Sequence, residues 1–330
     1  MNRVLVPHIA DQPRPPRDVS PIELSGETMG TTWRLRAFAP AGFDAAGLKA
    51  SLEALFADYI AQMSLWTPDS LINRFNELPA GASLDLPPLF HAVLTHALTI
   101  AQETDGAFDP TIGALVDLWG FGAHAPAADV PNNARLGAAK DAAGWRKLTN
   151  QEPRKLLLQP GGLRLDLNGI AKGAAVDDAC NLALRAGLAS YLIEIGGELR
   201  GFGVKPDGEP WWIDVELPPG AAAPRTVAAL YNIAIATSGD YRRSAIVDGQ
   251  SISHTLAPST GRPIANGVAS VTVLHASCML ADAYATALQV MGPERGIGFA
   301  SARGIAALML VRTADGFSEY VSAGAERMLA

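Results

Sequence analysis

The sequence predicts an α+β fold in which mixed β-sheets are flanked by helices. Three observations lead there. Strand-like and helix-like segments are interleaved without the strict βαβ alternation of a doubly wound sheet. Of the 330 residues, 48% are apolar, enough for a large core. The 32 glycines and 23 prolines are spread along the chain, which suits many turns rather than low complexity.

The elements follow in order. Residues 1–21 carry five prolines and mixed charges and read as a flexible tail. Ile22 to Phe38 reads as strand, interrupted at Gly26-Glu27-Thr28-Met29-Gly30; after the glycine, Trp33, Leu35 and Ala37 alternate with Arg34 and Arg36. Leu48, Leu52, Leu55, Phe56, Tyr59, Ile60 and Met63 recur at helical spacing. Asp69 and Ser70 can cap a short helix through Phe75. A further helix carries Leu89, Phe90, Val93, Leu94, Ala97, Leu98 and Ala101 and ends at Thr104-Asp105-Gly106. Residues 123–145 read as a loop with a short helix. Ile170 to Ala186 is expected to be helical, with Gly187 as its stop. Tyr191 to Ile195 is a short strand ending at Gly196-Gly197. More strands are expected at 211–217, 226–236, 268–275 and 305–312, and a helix at 277–291 ending at Gly292. Without a repeat or a linker, 22–330 reads as one catalytic domain.

Composition excludes several functions. The formal net charge is -7 and no basic run occurs, so nucleic acid is a poor partner. Cys180 and Cys278 form no Cys-x-x-Cys and are expected to be small core residues, with a disulfide as the alternative. The N-terminus lacks the apolar run of an export signal, and no 18-residue apolar stretch occurs. As written, the chain is therefore expected to be soluble and not exported. Gly201-Phe-Gly203-Val-Lys-Pro206 breaks the dinucleotide fingerprint at its last glycine. There is no P-loop and no Gly-x-Ser-x-Gly elbow.

What remains is a series of polar, glycine-rich segments, each at the end of an apolar element. They are Met29-Gly30-Thr31-Thr32; Met63-Ser64-Leu65-Trp66 with Ser70 and Arg74-Phe75-Asn76; Thr104 to Thr111, continuing to Leu118-Trp-Gly-Phe-Gly122; and Leu165 to Gly173, then Asp177. Glu194-Ile-Gly-Gly-Glu198, Thr237-Ser-Gly-Asp-Tyr241, His254 to Gly261 and Ala281 to Thr286 complete the series. Asp282 and Thr286 stand at i and i+4, so both oxygens point to one helix face. A carboxylate, a hydroxyl and a backbone carbonyl would make a hard, part-filled oxygen shell that suits magnesium, with substrate phosphates completing the octahedron. The same pair could equally decorate a helix surface. Lys172 near a helix N-terminus suits a phosphate or an acidic partner, or simply faces solvent. Asp109 before Pro110 is either a ligand contact or an Asx-type turn. Trp66 could stack on a flat ring or pack on a core. His254 opens a turn rich in Pro, Thr and Gly; imidazole can take a hydroxyl proton near neutral pH, or a loop histidine can simply bond backbone.

Together these segments, in order and spacing from about Gly26 to Gly292, resemble the FAD:protein FMN transferase (ApbE) family. The resemblance implies an ApbE-like, T-fold-like α+β domain with FAD and metal in a central cleft. It implies transfer of FMN from FAD to a Thr or Ser hydroxyl of an acceptor protein, dependent on Mg2+, with release of AMP. It assigns the metal to Asp282, Thr286 and the carbonyl of Gly169. Flavin nucleotide contacts fall to Met29, Trp66, Ala107, Phe108, Asp109, Asp166, Lys172 and Thr255, and the base to His254. Acceptors of the family carry an Asp-Gly-x-Ser/Thr-Gly-Ala-Ser/Thr-like motif and are often subunits of redox complexes. Members commonly act outside the cytoplasmic membrane as lipoproteins, whereas this chain shows no leader or lipobox cysteine. One departure stands out: the family often has an acid just before the proline of the His254 turn, and here that residue is Ala257. An FAD pyrophosphatase releasing FMN and AMP, and a non-catalytic FAD carrier, are the other readings.

Overall fold

The computed structural model describes residues 3–9, 13–123, 129–151, 155–221, 223–241, 244–247 and 250–329. Parts of the expected tail (1, 2 and 10–12) and of the expected 123–145 loop (124–128) lie outside these residues. The span read as a single domain divides into two compact units, each assembled from separated stretches of chain: 1–58, 172–238 and 268–330, and 59–171 with 239–267.

The first unit is built on an eight-stranded sheet. Its strand order is Gly316–Val321, Ala306–Thr313, Val268–His275, Ile233–Gly239, Glu198–Phe202, Tyr191–Ile195, Thr31–Pro40, Val19–Thr28. The expected alternation holds: Trp33, Leu35 and Ala37 are buried while Arg34 and Arg36 are exposed. The break in this first hairpin is tighter than the Gly26–Gly30 interruption expected. Thr28 pairs with Thr31, so Met29 and Gly30 alone make the turn, at φ 51° and 71°. That is the backbone of a two-residue hairpin turn whose twist matches its strands. Gly26 stays in the strand opposite Trp33, where a Cβ would come within 2.6 Å of the indole nitrogen.

Arg3–Leu5 corrects the flexible-tail expectation. It is a strand, parallel to Thr226–Leu230, which in turn pairs antiparallel with Trp211–Asp214. Leu5 is fully buried in a cluster with Leu192, Trp211, Leu230, Leu274 and Leu308. Arg3 pairs with Glu319 and donates to the Thr226 hydroxyl at 2.8 Å. Three residues with one buried leucine are too short for periodicity to reveal, which is why composition alone suggested a tail. The expected 226–236 strand is two strands, Thr226–Leu230 and Ile233–Gly239, in different sheets. The chain changes sheet at Tyr231-Asn232, with Asn232 at φ 55°.

Helices Ala171–Arg185 and Cys278–Met291 match the expected spans to within a residue. Gly187 and Gly292 follow them at positive φ, 93° and 80°. Pro293–Ala302 and Ala323–Glu326 are helices, and Gly316–Val321 a strand, that the sequence reading did not assign.

The second unit carries helices Leu71–Asn76, Pro88–Glu103, Gly113–Leu118 and Asn133–Ala142. It also has a three-stranded sheet of Ser83–Asp85, Leu156–Leu158 and Thr149–Gln151. Of the two proposed caps for the first helix, Ser70 accepts the Asn73 N–H. Its core brings Leu115, Val116, Trp119, Leu136 and Leu256 together, with Phe121 and Ile252 packed against them. Across the described residues of both units, no helix is long and apolar enough to cross a membrane.

Candidate functional site

In the first unit Lys172, Asp282 and Thr286 lie on two helices whose N-terminal turns meet. Gly173 lies in the first turn of Ala171–Arg185, and its added Cβ would fall 2.4 Å from the Cys278 carbonyl. Glycine therefore permits the start of Cys278–Met291 to lie against that turn. Asp282, one turn into the latter helix, is 5% exposed. Its Oδ2 accepts the Gly173 N–H at 3.2 Å. Thr286 follows one turn later, and its hydroxyl is 3.2 Å from that of Ser238. Lys172 Nζ donates to Glu198 Oε1 at 2.7 Å, and Glu198 is itself buried. Glu198, which the sequence reading left in a glycine segment without a role, thus joins Asp282 and Lys172.

The electrostatics are those of two acids and one base in little water. Burial, and next the charge of Glu198, push the Asp282 carboxyl up to about 7, while Lys172 and the Gly173 N–H pull it down. A divalent cation against Asp282 would compensate its charge directly. The donors are hard oxygens: one carboxylate, the Thr286 hydroxyl and the nearby Ser238 hydroxyl. Among the described residues no group of three or more His, Cys, Asp or Glu could hold a metal. A complete cage of acids is thus absent there, and the donor set fits an ion such as magnesium that keeps positions for substrate oxygens. Met29, also in this unit, is half-buried at the tip of its hairpin.

In the second unit Trp66 is 48% exposed, while the other predicted contacts are buried or half-buried. It lies in a turn held from below: Asn73 Nδ2 donates to the carbonyls of Leu65 and Thr67, both at 2.9 Å. Asn76, from the same short helix, brackets Leu165. Its Oδ1 accepts the Leu165 N–H at 2.7 Å and its Nδ2 donates to the Leu165 carbonyl at 3.1 Å. That fixes the strand-like approach to Asp166, whose Oδ1 accepts the Asn168 N–H at 2.8 Å. Gly169, half-buried, follows in the turn before the helix. Asn76 stands in one of the polar, glycine-rich segments and Asn73 in none, and nothing local marks an asparagine for bonds 6 to 89 residues away.

Asp109 forms an Asx-type turn. Oδ1 accepts the Thr111 N–H at 2.9 Å and the Thr111 hydroxyl at 2.6 Å. Oδ2 accepts the Trp145 N–H at 3.3 Å, and Thr111 Oγ1 accepts the Gly144 N–H at 2.7 Å. Burial raises the Asp109 pKa against the pull of these bonds and of Arg146. The carboxylate therefore clamps residues 144–145. Ala107 and Phe108 are both buried.

His254 is half-buried, with the Phe121 ring edge-on at 6.3 Å. Thr255 is buried; its N–H donates to Ser253 Oγ at 3.1 Å and its carbonyl accepts the Ile264 N–H at 3.0 Å. The turn that follows is organised by backbone at the position of the missing acid. The Ala257 carbonyl accepts the N–H groups of Thr260 and Gly261, at 3.1 and 2.8 Å. Trp119 Nε1 then donates to the Gly261 carbonyl at 2.8 Å. This histidine turn is thus held without a side-chain acid at 257.

Comparison with known proteins agrees on one family. The model of the ApbE family matches residues 29–309. An FAD:protein FMN transferase of Vibrio cholerae is 41% identical over 305 residues, covering 91% of this chain and 90% of the relative. That of Escherichia coli strain K12 is 34% identical, covering 91% and 86%. Among solved structures, the apo form of the Pseudomonas stutzeri flavinyl transferase ApbE superposes with a TM-score of 0.87 at 35% identity, covering 94% of this chain and 97% of its own. The flavin transferase ApbE of Vibrio cholerae gives 0.86 at 39% identity, covering 94% and 99%.

Proposed function

The chain belongs to the ApbE family, and from that premise we propose that it is a flavin transferase, moving FMN from FAD to a Thr or Ser hydroxyl of an acceptor protein. The observation that carries the reading is the gathering of Lys172, Glu198 and Asp282 where two helices begin, with Thr286 one turn beyond Asp282, in a chain 41% identical to an FAD:protein FMN transferase.

The acceptor oxygen attacks the phosphorus on the FMN side of the pyrophosphate. A phosphoester bond forms, the bridging P–O bond breaks, and AMP leaves with the bonding electrons. His254 takes the acceptor's proton. Lys172 offers a positive charge beside the helix N-terminus, suited to the phosphates. Asp282 and Thr286, with the Gly169 carbonyl that the family resemblance adds, would hold Mg2+. The ion would supply Lewis-acid stabilisation of charge on the phosphoryl oxygens. Trp66 offers an accessible aromatic face to the isoalloxazine, and Met29, Asp166 and Thr255 remain proposed nucleotide contacts. Ala107 and Phe108 would contribute backbone rather than side chain. Asp109 is likewise a proposed nucleotide contact, and its carboxylate also clamps residues 144–145. The acceptor would be a redox-complex subunit with an Asp-Gly-x-Ser/Thr-Gly-Ala-Ser/Thr-like motif.

The test is direct. The protein is incubated with FAD, Mg2+ and a motif-bearing acceptor, and the acceptor is weighed by mass spectrometry. An FMN-sized gain is expected. Release of free FMN and AMP with an unmodified acceptor would make the protein a pyrophosphatase. Bound but intact FAD would make it a carrier.

A further inference from the structure

Two aspartates cap each other's helices. Asp282, on Cys278–Met291, receives the first-turn Gly173 N–H of Ala171–Arg185 at 3.2 Å. In return Asp177, on Ala171–Arg185, receives the first turn of Cys278–Met291. Its Oδ1 accepts the Cys278 N–H at 2.9 Å, and its Oδ2 accepts the Met279 N–H at 3.1 Å and the Ser277 hydroxyl at 2.7 Å. Ser277, the N-cap, in turn accepts the Leu280 N–H at 3.3 Å. The first three N–H groups of that helix, which have no partner within it, are all satisfied, two of them by a side chain 101 and 102 residues away. Arg200 Nη1 donates to Asp177 Oδ1 at 2.6 Å, and both side chains are mostly buried. Arg200 and Glu198 are alternate residues of strand Glu198–Phe202, and they meet Asp177 and Lys172 of the same helix. A single strand therefore grips that helix at two heights.

We infer that Asp177 is a positioning residue for the metal and phosphate site: it sets where Asp282 and Thr286 stand by fixing the start of their helix. Asp282 lies one turn beyond Cys278 and Thr286 one turn further, so a rotation or slip of the first turn displaces both donors together. Within its own helix, Asp177 lies one turn beyond Gly173. The two caps and the two helix starts form a closed loop of contacts. Asp177→Asn keeps the shape but puts an amide donor toward the N–H groups, the Ser277 hydroxyl and Arg200, so the loop cannot close as before. This inference rests on the flavin-transferase reading for the metal site that Asp282 and Thr286 would form.

The experiment measures Mn2+ binding to the full-length protein by the EPR signal of free Mn2+, alongside FMN transfer as a function of Mg2+. Circular dichroism and thermal unfolding establish that each variant is folded. Asp177→Asn is expected to weaken Mn2+ binding by about tenfold. The Mg2+ concentration for half-maximal transfer should rise in step, with kcat at saturating Mg2+ unchanged. A purely structural role would lower the unfolding temperature and the amount of active protein without moving the metal affinity. Ser277→Ala removes one contact of the cap and is expected to shift metal affinity in the same direction by a smaller factor. If Asp177→Asn does not fold, Ser277→Ala decides. Asp282→Ala is the control for the site itself. Wild-type Mn2+ affinity in folded Asp177→Asn, or in Ser277→Ala where it must decide, with binding lost in Asp282→Ala, overturns the positioning role alone. Undiminished binding in Asp282→Ala overturns the metal reading and this inference with it.

Discussion

The Asp282 carboxylate accepts the Gly173 backbone N–H at 3.2 Å, across a helix contact so close that the Gly173 Cα faces the Cys278 carbonyl with no room for a methyl group. The position of the proposed metal-binding acid is thus bound to the absence of a side chain at 173. Gly173→Ala places a Cβ 2.4 Å from a backbone oxygen, which cannot rotate away as a flexible side chain would. The helices must separate. Destabilisation of about 1–3 kcal/mol is expected from such overpacking. Transfer activity should fall further than stability accounts for, because Asp282 loses its partner. Urea unfolding alongside the transfer assay checks this, and wild-type activity in the alanine variant would refute it.

Asp282→Ala should abolish transfer and leave the fold intact. The residue is buried, but it accepts one N–H, its charge is attracted by Lys172 and repelled by Glu198, and it is not part of the apolar packing. Wild-type protein should gain thermal stability on addition of Mg2+ and FAD through mass action, and the variant should lose the Mg2+ part of that gain. Equal transfer with and without a chelator would be the contrary result.

His275 offers a pH test in the same unit. Its Nδ1 accepts the Ser277 N–H at 3.0 Å, the residue that begins helix Cys278–Met291. Burial lowers its pKa below the ordinary value of 6.5, against the pull of the Ser277 backbone and Asp177 and with the push of Arg200. The unfolded chain therefore binds a proton more readily than the folded one. Stability is full above the unfolded pKa and declines as pH falls below about 6.5 toward the lower folded value. Asn presents an acceptor oxygen in place of Nδ1 and does not titrate, so His275→Asn should reduce the loss of stability between pH 7.5 and 5. Denaturant unfolding at both pH values measures it; identical pH dependence in the two proteins would exclude this role.

Much of this arrangement was readable from local pattern, and what was not has a common cause. The i, i+4 spacing of Asp282 and Thr286, the ends of their helix and the alternation after Gly30 are short-range facts, and the structure keeps them. Asp109 was ambiguous because its Trp145 partner lies 36 residues away. The bonds of Asn76 to Leu165 and of Asp177 to Ser277 span 89 and 100 residues, so no window of sequence contains both ends. The junction at Tyr231-Asn232 lacks glycine and proline between two apolar runs, and so read as a continuous strand. Arg3–Leu5 is ordered by a partner strand more than 200 residues away, which composition cannot disclose.

Trp66 should report flavin binding. It is 48% exposed in a turn fixed by Asn73, so it can meet a planar ring without rearrangement. FAD titration should quench tryptophan fluorescence, and Trp66→Phe should lose a distinct part of that quenching, since the chain has five other tryptophans. Trp66→Ala should weaken FAD binding by about 1 kcal/mol, roughly fivefold. Unchanged quenching in Trp66→Phe would place the isoalloxazine elsewhere. Asn73→Ala, which frees the turn without touching the ring, should weaken binding in the same direction.

His254 carries the least redundant of the proposed roles. An acceptor hydroxyl is a poor nucleophile until its proton is taken, and removal of a general base typically lowers rate by about 10²–10⁴-fold. His254→Ala is expected to fall in that range. Its FAD affinity should change by less than about tenfold, roughly 1.4 kcal/mol, because Lys172, proposed for the phosphates, and Asp282, proposed for the metal, are untouched. The wild-type rate should have an acidic limb that the alanine variant lacks. Ala257 sharpens the test. With no acid at 257, the turn is held by the Ala257 carbonyl and by Trp119, so the histidine's setting depends on backbone rather than on a neighbouring carboxylate. Ala257→Asp should therefore leave the fold in place and change the pH dependence more than the maximal rate. Trp119→Phe, which removes the bond to Gly261, should lower the rate by loosening the turn. Normal transfer by His254→Ala would assign the proton to solvent or another group, and loss of FAD binding in step with activity would make His254 a nucleotide contact instead.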